Sequence, residues 1–202
     1  MRNQWYGDHR DLVKWGTLMQ LARAHSLRLI LQVAYLRLDH DVPLIKWECG
    51  EEEVGPKILE YFRDIHLIRG LAKSTGIEIE VFDRPFAAKL RDEYTADVVS
   101  HIKKITTTPC VILLDPDTGL STNRSSSAHV TPDQVSTIWS ALRPKDWLVV
   151  YQHASREMNW SEKRRAAFEA ACQGGRFLHF RSPNGAHDVA LFAASSPSNA
   201  SG

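Results

Sequence analysis

RLILQVAY, residues Arg28 to Tyr35, is apolar along almost its whole length. A strand with one wet face alternates apolar and polar side chains. A continuous apolar run of strand length is expected of a strand covered on both faces, as in a parallel sheet between helices. The sequence upstream agrees. Asp8 stands where a helix cap belongs, and Leu12, Trp15, Leu18, Met19 and Ala22 repeat at helical spacing up to His25. Downstream, Pro56 suits a first helical position and Gly70 a terminator, with Ile58, Phe62, Ile65 and Ile68 forming one face between them. IEIEVF (Ile77–Phe82) then alternates with period two, which predicts a strand with one wetter face.

The same alternation continues to the end. Ala87, Leu90, Tyr94, Val98, Ile102 and Ile105 predict one side of a long helix, and CVILL (Cys110–Leu114) a short buried strand. Ser and Thr fill five of the eight positions from Ser121 to Ala128, which marks a loop. Thr131-Pro132-Asp133-Gln134 reads as a capping box opening a helix that buries Val135, Ile138, Trp139 and Leu142. DWLVVY (Asp146–Tyr151) is the next strand, and Ser161 is expected to cap a helix that stops at Gly174-Gly175. Arg176–Phe180 and Ala186–Ala194 flank Ser182-Pro183-Asn184-Gly185, where Asn-Gly is a strong hairpin signal. Strands separated by helices require right-handed crossovers and a parallel sheet. The expected fold is therefore α/β: a doubly wound, mostly parallel, Rossmann-like sheet with a C-terminal antiparallel hairpin. It forms one domain over residues 1–194, followed by a disordered tail at 195–202.

Composition narrows the class. The 202 residues carry 25 Lys plus Arg against 24 Asp plus Glu, a net charge of +1. That balance excludes a histone-like nucleic-acid coat but leaves room for an enzyme with one basic face. Cys49, Cys110 and Cys172 are odd in number and widely spaced, which excludes a disulfide framework and a local zinc knuckle. No apolar run approaches the ~18 residues of a membrane span. The opening MRNQWYGDHR lacks the apolar core of a signal peptide, so a cytoplasmic protein is expected.

In doubly wound sheets ligands bind outside the carboxyl ends of the strands. Here those ends run into Arg37-Leu38-Asp39-His40-Asp41, Asp83-Arg84-Pro85, Asp115-Pro116-Asp117-Thr118-Gly119 and Gln152-His153. Asp115 follows a buried strand directly, Pro116 fixes the backbone beyond it, and Asp117 either turns to the same site or caps the loop. His153 suits a metal ligand or proton carrier. A second cluster, GDHRDLVKWG (Gly7–Gly16), crowds His9, Arg10, Asp11 and Lys14 at a helix start, where Arg10 and Lys14 suit an anionic ligand. Lys163-Arg164-Arg165, with Arg156, Arg176 and Arg181, reads either as a phosphate contact or as a solvated helix face. No GxxxxGK[ST], HExxH or GxSxG occurs, which excludes P-loop NTPases, zincins and serine hydrolases.

The order of elements resembles a class I S-adenosylmethionine-dependent methyltransferase domain, whose reversed last strand the final hairpin imitates. GDHRDLVKW resembles the opening helix of the ribosomal-RNA adenine methyltransferases and the three-Cys-motif partner proteins. LLDPDTGL falls where those enzymes carry an Asp-Pro-Pro-Tyr or Asp-Pro-Tyr loop. The sequence departs from that pattern at the cofactor turn, which is Val33-Ala34-Tyr35-Leu36-Arg37 without glycine. It departs again at the loop, where no aromatic follows Asp-Pro, and one strand–helix pair is missing before it. The resemblance implies a methyltransferase acting on a nucleic acid or nucleotide. Asp115, with Asp117 and His153, would serve the transfer; Asp11 and Lys14 would hold S-adenosylmethionine, and Asp39 or Asp83 would meet its ribose hydroxyls. Two alternatives keep the fold. In one, Asp83, Asp115, Asp117 and His153 hold Mg²⁺ or Mn²⁺ in a phosphodiesterase or nuclease. In the other, the chain is a non-catalytic partner subunit that has lost the cofactor turn.

Overall fold

The computed structural model describes residues 8–37, 44–47, 50–57, 64–105, 108–121, 128–181 and 186–197. Its strands are β1 (Leu29–Val33), β2 (Leu44–Trp47), β3 (Gly50–Glu53), β4 (Glu78–Phe82), β5 (Val111–Leu114), β6 (Gly119–Leu120), β7 (His129–Val130), β8 (Trp147–His153), β9 (Arg176–Arg181) and β10 (Val189–Ser195). Six of them make the central sheet in the order β4-β1-β5-β8-β10-β9. β4, β1, β5 and β8 are parallel neighbours. β10 is antiparallel to both β8 and β9, so it is the reversed strand and lies inside the sheet. The expected α/β architecture with its antiparallel C-terminal strands is present. β2–β3 and β6–β7 form two small additional sheets that the sequence reading did not anticipate.

Successive side chains on each strand pack to opposite faces. Ile30, Val111, Leu113, Val149 and Tyr151 meet Trp15, Leu18 and Ala22 of the first helix, His9–Ala24, together with Ile65 and Ile68. Leu31, Val33, Ile112, Leu114 and Val150 meet Tyr94, Val98 and Ile102 of the helix Arg91–Ile105 on the other face. Val135, Ile138 and Phe168 join them there. Double coverage explains the apolar run of β5 and that of β1, which only Gln32 interrupts.

Local signals fix several ends. The Asp8 carboxylate accepts from the N–H groups of Arg10 and Asp11, starting the first helix. Thr131 and Gln134 form the expected capping box at the start of Pro132–Ser140.

Other ends differ from expectation. Gly70 does not terminate a helix. The 3-10 turn Ile65–Gly70 passes directly into a helix, Leu71–Thr75, which ends at Gly76 with φ 69°. Ile58 and Phe62 lie outside the described residues. Leu90 is exposed, because a 3-10 turn at Ala88–Leu90 swings it off the buried face. Ser161 sits inside the helix Trp160–Ala171, whose cap position is taken by left-handed Asn159. β10 continues to Ser195, one residue past the expected end of the domain. The Asn184-Gly185 turn is outside the described residues.

Candidate functional site

Lys14 points from the first helix onto the carboxyl ends of β1, β5 and β8. Its Nζ lies 2.6 Å from Asp11 Oδ1 and 2.9 Å from Asp115 Oδ2. The Asp115 N–H donates to the Val33 carbonyl, which carries the β5–β1 ladder one residue further and aims the carboxylate at the helix. Gln32 Nε2 donates to the same Oδ2 at 2.6 Å. The ammonium also stands 4.8 Å from the centre of the Tyr151 ring. Lys14 and Asp115 are each only 1% exposed. Burial alone would depress the Lys14 value, but the Asp115 and Asp11 carboxylates outweigh it and hold the amine above its ordinary range.

His153 belongs to the same neighbourhood. Its ring meets the Tyr151 ring edge-on at 4.9 Å. Burial first, and then the Arg10 charge, push the imidazole below its ordinary value, so the neutral ring is favoured. Arg10 in turn donates to Asp188 Oδ2 from Nε at 2.9 Å and from Nη2 at 2.7 Å. This ties the helix start to the residue before β10. Beside it, Gln152 uses both ends of its amide: Oε1 accepts from the Leu120 N–H, and Nε2 donates to the Thr118 and His153 carbonyls. That clamp closes the turn after Asp117 against β8.

Asp11, Lys14, Asp115 and His153 are therefore brought to one end of the sheet. Asp115 and Asp117 do not converge. Asp115 goes to Lys14, whereas Asp117 accepts from Arg37 Nη1 at 2.6 Å. Among the described residues no three His, Cys, Asp or Glu side chains come together as a metal site. Asp83 follows β4, is half-exposed and meets His66 Nε2 at 2.9 Å. Asp39 lies outside the described residues. In the basic run, Lys163 and Arg164 pair with Glu157, and Arg165 pairs with Glu169. These ion pairs favour the solvated-face reading of that run. No described helix is long and apolar enough to cross a membrane.

Arg37 and Gln152 stand among the strand-end residues named from the sequence, whereas Gln32, Tyr151 and Asp188 do not. Gln32 carried a legible signal, as the lone uncharged polar residue in the apolar run RLILQVAY. The others carried none apart from their places near strand ends.

No protein-family model matches this chain, and no curated protein matches it. Among solved structures it is similar to a candidate methyltransferase from Thermobifida fusca, at 11% identity and a TM-score of 0.48 over 94% of this chain and 80% of that one. It is also similar to the apo form of the S-adenosylmethionine-dependent methyltransferase SibL, at 13% identity and a TM-score of 0.36. That match covers 89% of this chain and 46% of SibL, so the chain spans under half of that protein. Likeness at this level leaves the fold resting on the sheet order and the function on the site's own geometry.

Proposed function

We propose that this chain is a methyltransferase-like enzyme that takes S-adenosylmethionine along the carboxyl edge of β1 and β4 and acts on a nucleic acid or nucleotide. The observation that carries this reading is the 2.9 Å contact of Lys14 with Asp115. The opening helix and the Asp-Pro turn are the two stretches on which the family resemblance rests, and they meet at one end of one sheet. The reversed β10, lying between β8 and β9, supports the same reading.

The residues at that edge fit the cofactor at specific points. Asp83 offers a half-exposed carboxylate beside β1, chemistry suited to ribose hydroxyls. Tyr35 holds a left-handed φ of 47° just after β1, the backbone conformation that a glycine turn supplies elsewhere. Its ring is buried against Phe86 and Tyr94. The bound cofactor would supply an activated methyl group. Within the chain the roles shift from those first expected. Asp11, Lys14 and Asp115 are buried and bound to one another, so they position the turn and the helix. His153, kept neutral, is the group suited to take a proton from an attacking amine.

One observation favours the non-catalytic reading. The Ala34 N–H donates to the Phe82 carbonyl and the Tyr35 N–H to the Tyr94 hydroxyl, so these two amides of the turn are engaged within the protein. Calorimetric titration with S-adenosylmethionine and S-adenosylhomocysteine separates the two. The enzyme reading expects binding that weakens about tenfold in Asp83→Ala, a change of ~1.4 kcal/mol. Absence of heat with both ligands, in protein that melts cooperatively, would leave the partner reading.

A further inference from the structure

A cavity of about 810 Å³ opens at the amino ends of the parallel strands, at the opposite end of the sheet from Asp115. Sheet register builds its wall. Trp147 on β8 is the cross-strand partner of Ser195 on β10, which is the partner of Arg176 on β9. In-register partners emerge on one face, here the face covered by the first helix. Arg28, two residues before Ile30, shares that face by the strand period. The His25 ring packs on Trp147 at 4.5 Å, and the Arg176 guanidinium lies 6.0 Å from the centre of the Trp147 ring. Lys145 lines the opening as well.

The charge of this cavity is one-sided. His25, Arg28, Lys145 and Arg176 line it, and no acidic residue does so among the described residues. The neighbouring acid, Asp146, is fully buried; it accepts from Arg143 and from the Cys110 N–H. The end of the first helix adds little negative potential. Its last carbonyls at Leu21, Ala22 and Arg23 already accept from the N–H groups of His25, Leu27 and Ser26. Burial and the Arg176 charge push the His25 imidazole below its ordinary value, consistent with positive potential at the wall. Ser26 and Lys145 hold left-handed φ values of 55° and 69° at the rim. L-residues adopt this backbone only where surrounding structure imposes it.

We propose that this cavity is a second binding site, for a phosphorylated small molecule of nucleotide size, with its phosphate held among Arg28, Lys145 and Arg176. Guanidinium groups take phosphate oxygens through paired, charge-assisted hydrogen bonds. The volume lies within the range of small-ligand pockets. The site stands apart from the carboxyl edge and does not depend on the methyltransferase reading.

Titration calorimetry with sodium pyrophosphate and with ADP tests it on the full chain, using Arg28→Glu, Arg176→Gln and Lys145→Asn. All three side chains are exposed, and Asn tolerates the left-handed backbone at 145. Both probes are expected to bind the wild type, and each variant to weaken both by about tenfold or more. Lys163→Ala, a cation on the solvated face of its helix and outside the cavity, is expected to leave both affinities unchanged. ADP binding tighter than pyrophosphate adds a base contact on the His25–Trp147 wall and supports the proposal; equal affinities overturn the nucleotide-sized ligand and leave a site for phosphate alone. Failure of both probes to bind at millimolar concentration overturns it. So does binding that survives Arg28→Glu and Arg176→Gln in variants that melt like the wild type.

Discussion

Lys14 and Asp115 are 101 residues apart in sequence, yet their charged atoms stand 2.9 Å apart with side chains no more than 2% exposed. Breaking one side of a buried pair strands the other charge in low dielectric. Lys14→Met leaves both Asp11 and Asp115 without the ammonium, and is expected to cost about 3–5 kcal/mol in urea unfolding at neutral pH. Asp115→Asn keeps the shape and leaves Lys14 its Asp11 partner, so a smaller loss of about 1–3 kcal/mol is expected. The pair has a pH signature as well. The folded Lys14 value lies above its ordinary 10.5, so its contribution is fully present below that pH. It is lost as pH rises through the higher folded value. Lys14→Met should abolish that alkaline loss.

The Arg10–Asp188 contact behaves oppositely with pH. The Arg10 guanidinium hydrogen-bonds Asp188 and holds its carboxyl below the ordinary 3.8. That stability is present above pH 3.8 and lost as pH falls through the depressed folded value. Both side chains are about a third exposed, so solvent screening limits the pair to about 1 kcal/mol at neutral pH. Arg10→Ala should cost about that at pH 7 and little at pH 2, in urea melts run side by side at low salt.

Gly119 adopts φ 106°, and a Cβ built there would collide with the Gln152 side-chain amide. Gly119→Ala is expected to destabilise by about 2–4 kcal/mol, through the strained backbone and the displaced clamp. Gln152→Ala removes the collision but also the hydrogen bonds to Leu120, Thr118 and His153. A double-mutant cycle should therefore show the two losses to be less than additive. Additivity would mean that the two residues do not meet.

His153 favours its neutral form in the fold, with a value below the ordinary 6.5. The unfolded chain binds the proton first on acidification, so stability is full above pH 6.5 and declines as pH drops toward the folded value. His153→Gln should flatten the stability profile across that window. An unchanged slope would place the imidazole in solvent.

The strands of the core were legible because burial on both faces leaves an apolar run, unbroken in β5 and interrupted only by Gln32 in β1. The Thr131–Gln134 box was legible because its chemistry is complete within four consecutive residues. Gly70 and Gly76 show the limit of that reading. Both are glycines near the end of a helical pattern, and only the packing of the strand that follows decides which one takes the left-handed turn. Of the candidate site, Asp11, Lys14, Asp115 and His153 could be named from helix start and strand ends. That Asp115 would face Lys14 while Asp117 turned to Arg37 could not, because sequence spacing carries no information about distances between separate elements. The position of β10 inside the sheet was hidden for the same reason.

That position has a consequence for the order in which the molecule is made. β8 stays an open edge until Val189–Ser195 arrive to pair with it, and β9 cannot join the sheet before them. At about 5–20 residues per second on the ribosome, the wait between Tyr151 and Ser195 lasts a few seconds. Throughout it an apolar strand edge is bare, the kind of edge that recruits other strands. Newborn molecules are thus exposed to misassembly from the synthesis of β8 until Val189–Ser195 are delivered.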